Sequence, residues 1–207
     1  MNWIRKLYAW ACERLYHELA WSYDVVSWLV SAGWWSSWRR VALAHLQGRV
    51  LELGFGTGNL LCALGTAVWP AVGLELSAAM HRVTARKFAA RGLTVPVVRG
   101  SALTLPFPSG TFDSVVATFP APYILQPETL AECRRVLRPG GRLVVVGLWI
   151  APRGGKAGMG LPIFLGRPSA GAVETLAERF RQAGFHITIH EPARGWAHVG
   201  TVIAERT

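Results

Sequence analysis

The segment VLELGFGTGNL, residues 50–60, holds an acid, Glu52, and then glycines at 54, 56 and 58. Residues without a Cβ let a chain turn sharply after a strand and bring its backbone close to a ligand. The start of a following helix adds unpaired N–H groups. A second acid, Glu75, comes 17 residues after Gly58, where the next strand of a βα unit ends and where a carboxylate can accept both hydroxyls of a ribose. The spacing excludes two common nucleotide loops. A dinucleotide site takes GxGxxG, but the sixth position is Asn59 counted from Gly54 and Leu61 counted from Gly56. A Walker loop needs Gly-Lys-Ser/Thr, and Gly155-Lys156 is followed by Ala157.

Other chemistry is thinly supplied. Asp24 and Asp113 are the only aspartates, too few for a carboxylate-rich metal site or an aspartyl acid/base pair. Asp113 reads as a structural residue at a strand edge. His186 and His190 share one face of an expected strand, but no third ligand stands near them in the sequence, so no metal is expected. Cys12, Cys62 and Cys133 are widely separated and unpaired by any CxxC spacing. They read as reduced thiols of a cytoplasmic protein.

The elements that position the two acids follow from residue 48 onward. Short apolar runs alternate with helix-period segments, the pattern of a parallel sheet covered by helices on both faces. Strands are expected at 49–53, 71–75, 94–98, 112–118, 142–148, 185–190 and 198–204, and helices at 57–66, 77–91, 127–138 and 169–183. No helix separates the last two strands, so they should pair antiparallel. The fold class is therefore α/β: a doubly wound, Rossmann-like, mostly parallel seven-stranded sheet with an antiparallel last strand and an N-terminal helical extension. Two parts are expected, an aromatic-rich helical cap over 1–47 and a ligand-binding domain over 48–207. The Gly- and Pro-rich stretch 151–168 reads as a loop or flap.

The chain of 207 residues is 51% hydrophobic and 16% charged, which suits a globular domain with a real core and excludes a disordered chain. Its formal charge of +10 divides as +2, +3 and +5 over residues 1–48, 49–125 and 126–207. With the excess so spread, a dedicated nucleic-acid face is not favoured, while contact with anionic lipid or an acidic partner stays open. Seven of the ten tryptophans lie in residues 1–38. Trp3, Leu7, Trp10, Ala11, Leu15 and Leu19 recur at helical spacing. Glu13, Arg14 and Glu18 interrupt any signal-peptide core, and residues 19–35 are too short and polar for a span. Two readings compete for this helix: it packs as a lid over a pocket, or its Trp and Arg residues meet a bilayer surface.

Four motifs in order resemble the class I S-adenosylmethionine-dependent methyltransferases, in particular the methyltransferase type 11 group. They are VLELGFGTGNL, VGLELSAAM (72–80), ALTLPFPSGTFDSVVATFP (102–120) and VLRPGGRLVVV (136–146). The resemblance implies S-adenosylmethionine as cofactor and S-adenosylhomocysteine as product. It places Gly54, Phe55, Gly56, Thr57 and Gly58 along the amino-acid part of the cofactor, with Glu52 beneath, reaching its amino group directly or through water. Glu75 would hold the ribose and Leu76 would pack on the adenine. Ser101, Ala102 and Leu103 would flank the adenine, and Thr118 and Phe119 would line the floor near the methionine portion. Ser101 departs from the family, which usually has Asp there.

The stretch YDVVSWLVSAGWWSSW, residues 23–38, resembles the N-terminal YDxxNxxxSxGxxxxW pattern of quinone-biosynthesis C-methyltransferases. Tyr23, Asp24, Ser31, Gly33 and Trp38 match, and Ser27 replaces Asn. Phospholipid N-methyltransferases carry a similar YD-containing helix. The acceptor implied is a small, lipophilic molecule: a quinone precursor, a phospholipid head group or a hydrophobic metabolite. Peripheral contact with an anionic membrane surface is part of this reading. A base is needed only if the acceptor keeps its proton through attack, and Tyr16, His17, Tyr23 and Tyr123 are candidates by location. An RNA methyltransferase and a non-catalytic S-adenosylmethionine-binding domain remain rival readings.

Overall fold

The computed structural model describes residues 23–67, 70–153 and 166–207. The chain enters through helix α1 (Tyr23–Val30), a short α2 (Trp35–Arg39) and a 3-10 turn, Arg40–His45. The βα series follows: β1 (Val50–Leu53), α3 (Asn59–Thr66), β2 (Ala71–Glu75), α4 (Ala78–Ala89), β3 (Val97–Arg99), β4 (Phe112–Thr118), α5 (Pro127–Val136) and β5 (Leu137–Pro152). It ends in α6 (Ala170–Gln182), β6 (Phe185–His190), β7 (Ala193–Arg194) and β8 (Ala197–Arg206).

The strands form one sheet in the order β3-β2-β1-β4-β5-β8-β6, with β7 paired to β8 outside this path. β3, β2, β1, β4 and β5 run parallel. β8 is antiparallel to both β5 and β6, as expected for strands joined without a helix. The sheet therefore has eight strands rather than the expected seven. The additional one, β7, has two residues, too short for an alternating pattern to reveal. The fifth strand is also longer than expected, because the chain extends directly from Leu137 through the glycine pair at 140–141.

Period-two alternation divides the core. Val144 and Val146 face α3 and the N-terminal segment, in a cluster with Leu60, Leu64, Phe88, Trp38 and Val41. Leu143 and Val145 face the other way, toward Leu130, Cys133, Val136 and Phe180 of α5 and α6. Strands covered on both faces read as continuous apolar runs, and Val50–Leu53 is buried at every position. Two helices begin at serine caps: the Ser77 hydroxyl accepts from the Met80 amide at 3.4 Å and that of Ser169 from the Ala172 amide at 3.2 Å. Each satisfies a donor the helix start leaves unpaired. Asp113 takes the structural place expected of it, with Oδ2 accepting from the Arg49 amide at 2.7 Å and Oδ1 from Arg138 at 2.9 Å. Most of the expected flap over 151–168 and the amphipathic stretch 3–19 lie outside the described residues.

Candidate active site

β1 and β2 run side by side, Leu53 opposite Leu74, so their C-terminal ends deliver Glu52 and Glu75 to one edge of the sheet. The glycine loop between β1 and α3 is fixed from both sides. Gly54 donates its amide to the Leu74 carbonyl at 2.7 Å. Gly56 donates its amide to Glu75 Oε2 at 3.0 Å, and its carbonyl accepts from Thr84 Oγ1 at 3.0 Å. Glu75 Oε1 accepts from the Ser77 amide at 2.8 Å. Glu75 is only 5% exposed, and each of its oxygens keeps acceptor capacity for a hydroxyl. A Cβ at Gly58 would lie 2.6 Å from Thr84 Cγ2, whereas one at Gly56 would meet nothing within 4 Å. The loop is thus packed at its helix end and open at its middle glycine.

Glu52 is 2% exposed. Burial pushes its carboxyl up to about 8, while Arg39 and the Leu61 amide pull it down and Glu75 raises it further. Its Oε2 is buried with no hydrogen-bond partner among the described residues. Tyr23, Trp35, Arg39, Glu52, Thr57 and Thr118 surround a cavity whose remaining wall is Gly54, Phe55 and Leu60. Its enclosed space is about 20 Å³, room for about one water. Side chains on its rim must part to admit anything of amino-acid size. A larger, more open cavity of about 320 Å³ lies against α1 and α3, and Trp35 and Arg39 line both.

The structure gathers the expected cofactor residues along this edge. Leu76 and Leu103 are exposed apolar side chains near the ends of β2 and β3, with half-buried Ser101 and Ala102 between. Ser101 Oγ accepts from the Leu103 amide at 3.2 Å. Thr118 ends β4, and Phe119 follows at φ +49°, a conformation costly for a non-glycine residue and often found at functional sites. Its amide donates to the Val146 carbonyl at 2.7 Å, and its ring stacks on Trp35 at a centroid distance of 4.1 Å.

Of the four base candidates, Tyr16 and His17 lie outside the described residues. Tyr23 lines the cavity. Tyr123 directs its hydroxyl at the glycine loop, 2.5 Å from where a Gly54 Cβ would stand. Burial, then Glu75, Cys133 and Glu52, push its phenol far above the ordinary range, so it keeps its proton and can serve as a donor.

The sequence reading missed two participants. Asp24 belongs to a cluster beside the loop: Oδ1 accepts from Thr57 Oγ1 and Asn59 Nδ2, both at 2.7 Å, and Oδ2 from Lys87 Nζ at 2.7 Å. Lys87 also donates to Asn59 Oδ1 at 2.8 Å. Arg39, which lines the small cavity, is the other. The only signal available was that both lie in or beside the YD-to-Trp stretch.

These residues fit S-adenosylmethionine. An orphaned buried carboxylate oxygen suits its ammonium, a second buried carboxylate with spare acceptor capacity suits its ribose, and exposed leucines at adjacent strand ends suit a flat base. Among the described residues no group of three or more His, Cys, Asp or Glu could hold a metal ion.

Residues 50–141 match the family described as a methyltransferase domain. Over 147 residues the chain is 39% identical to the demethylmenaquinone methyltransferase of Thermus thermophilus, covering 68% of this chain and 67% of that protein. It is 32% identical over 140 residues to a ubiquinone/menaquinone biosynthesis C-methyltransferase of Burkholderia mallei, covering 64% and 58%. The chain thus spans about three-fifths to two-thirds of the length of these curated relatives. Among solved structures, an S-adenosylmethionine-dependent methyltransferase from Aquifex aeolicus superposes with a TM-score of 0.62 at 19% identity, covering 82% of this chain and 89% of that one.

Proposed function

Because this chain belongs to the S-adenosylmethionine-dependent methyltransferases, we propose that its acceptor is a quinone precursor, methylated at a ring carbon. The observation that carries this reading is the similarity to the Thermus thermophilus demethylmenaquinone methyltransferase, which extends over two-thirds of both chains. The YD-to-Trp stretch, which resembles the same group of enzymes, agrees with it.

When bound, the cofactor supplies a methyl group already activated on a sulfonium sulfur, so the protein's work is alignment and exclusion of water. Glu75 and the glycine loop would hold the nucleoside from one side. Leu76 and Leu103 would flank the base. Trp35, stacked on Phe119, forms a flat apolar wall beside Thr118, suited to an aromatic ring. Transfer to a ring carbon would leave the ring with a proton to give up once the methyl has moved from sulfur to that carbon. Tyr23 on the cavity wall is the described candidate to receive it. Tyr123, held protonated, is placed to donate a hydrogen bond.

A lipophilic acceptor is met most readily at a membrane surface. Val25, Trp28 and Leu29, at helical spacing on α1, are 59%, 61% and 63% exposed, an apolar face on a protein of net charge +10. This combination supports peripheral contact with anionic lipid. Among the described residues no helix is long and apolar enough to cross a membrane.

The test is turnover. Purified protein with S-adenosylmethionine and a short-chain demethylmenaquinol is expected to release S-adenosylhomocysteine and yield the C-methylated ring. Product release with a phosphatidylethanolamine or an RNA acceptor, and none with the quinol, would overturn the acceptor assignment.

A further inference from the structure

Two groups of complementary chemistry, an acid and a guanidinium, line the small cavity at the end of β1 without bonding to one another. Glu52 Oε2 is buried and has no hydrogen-bond partner among the described residues. Arg39 is half-buried, and among the described residues its guanidinium makes no hydrogen bond or ion pair; it feels Asp24, Glu52 and Tyr23 only through space. Burial pulls its pKa below the ordinary arginine range, against those three neighbours. An unpartnered guanidinium offers five N–H donors to a ligand, and a buried carboxyl oxygen without a partner carries a desolvation cost. Both groups find partners at once if one ligand presents an ammonium to Glu52 and a carboxylate to Arg39. The cavity lies between the glycine loop and Thr118, where the amino-acid end of the cofactor would lie.

We propose that Arg39 binds the α-carboxylate of S-adenosylmethionine, opposite Glu52 on its α-ammonium, so that the two side chains together select the intact zwitterion. This deepens the cofactor reading of the site and rests on it. Arg39 lies in α2, outside the βα core and outside the matched segment 50–141. The N-terminal segment therefore supplies one of the cofactor's ligands as well as any contact with the acceptor. Guanidinium–carboxylate pairing is strong and geometrically selective when bidentate, and a neutral replacement should cost roughly 10- to 100-fold in affinity.

The experiment compares three probes by calorimetry: S-adenosylhomocysteine, its decarboxylated analogue that keeps the amine, and 5′-methylthioadenosine, which lacks the amino-acid end. Wild type is expected to bind S-adenosylhomocysteine at least tenfold more tightly than the decarboxylated analogue. Arg39→Gln should lose that difference while binding 5′-methylthioadenosine within about twofold of wild type, and Arg39→Lys should recover part of it. Unchanged S-adenosylhomocysteine binding in Arg39→Gln, or equal losses for all three probes in a folded variant, would overturn the proposal and leave the cofactor reading standing. If Arg39→Gln does not fold, the wild-type comparison decides: equal affinity for the acid and its decarboxylated analogue removes any cationic partner for the carboxylate. Wild type that binds none of the three would instead bring down the cofactor reading itself.

Discussion

A carboxylate taken out of water holds its proton until something positive replaces the lost hydration. Glu52 is in that position, with its carboxyl raised to about 8 by burial more than Arg39 and the Leu61 amide can offset. The unfolded chain titrates it near the ordinary glutamate value, so the folded protein binds the extra proton between about pH 4.5 and 8. Stability from this residue is complete below the lower value and is lost as pH rises through the upper one. Thermal melts of the ligand-free protein should therefore fall by several degrees between pH 6 and 9 in wild type, and by clearly less in Glu52→Gln. Identical pH slopes would show that Glu52 is not the group responsible. Glu75, also buried, accepts from the Gly56 and Ser77 amides. Sequence spacing located both acids, but their different hydrogen-bond shells arise from the folded loop.

Between elements, the informative contacts bind the N-terminal segment to the core. Trp38 is buried and donates Nε1 to the Arg194 carbonyl at 3.0 Å; Trp196 donates Nε1 to the Ser31 carbonyl at 3.1 Å. The two rings meet edge-on at 5.2 Å. Gly33, at φ +83°, closes the turn between α1 and α2 against the Trp28 ring, and Gly147, at φ +84°, leaves the room that the Phe119 ring occupies. Asp24 joins α1 to the glycine loop and to α4 through Thr57, Asn59 and Lys87. Burial opposes its ionisation, yet Lys87, Thr57 and Asn59 outweigh this and lower its pKa. Its side chain keeps 41% of its area in water, so solvent screening limits the ion pair to about 1 kcal/mol of stability. The larger effect should be on the loop. Asp24→Asn is expected to lower Tm by only a few degrees while weakening S-adenosylhomocysteine binding about three- to tenfold, measured by calorimetry. Affinity unchanged beyond error would mean that the cluster does not position the loop. The residues matching the YD-to-Trp pattern thus serve as fasteners, a role their spacing could not reveal because every partner lies far along the chain.

For the whole molecule, the apolar side of α1 and the net charge of +10 predict how it meets a surface. Vesicles of phosphatidylglycerol should retain the protein in co-sedimentation at low salt, and neutral phosphatidylcholine vesicles should retain less, since the electrostatic part acts only on anionic lipid. Trp28→Ser combined with Leu29→Ser, both well exposed, should reduce retention severalfold with little change in Tm. Equal retention of this variant and wild type would remove α1 as the contact.

The amino-acid sequence by itself determined the βα series, the glycine loop, the two acids and their order, because these follow from local periodicity, from backbone conformations that favour glycine and from strand-end spacing. It also located Thr118 and Phe119 at the end of β4. Only the tertiary structure decided that β8 inserts between β5 and β6, that Asp24 and Lys87 close on the loop, and that Arg39 and Glu52 line one cavity. Those outcomes depend on contacts between residues tens of positions apart, whose distances are set by how helices pack on a twisted sheet and leave no periodic trace along the chain.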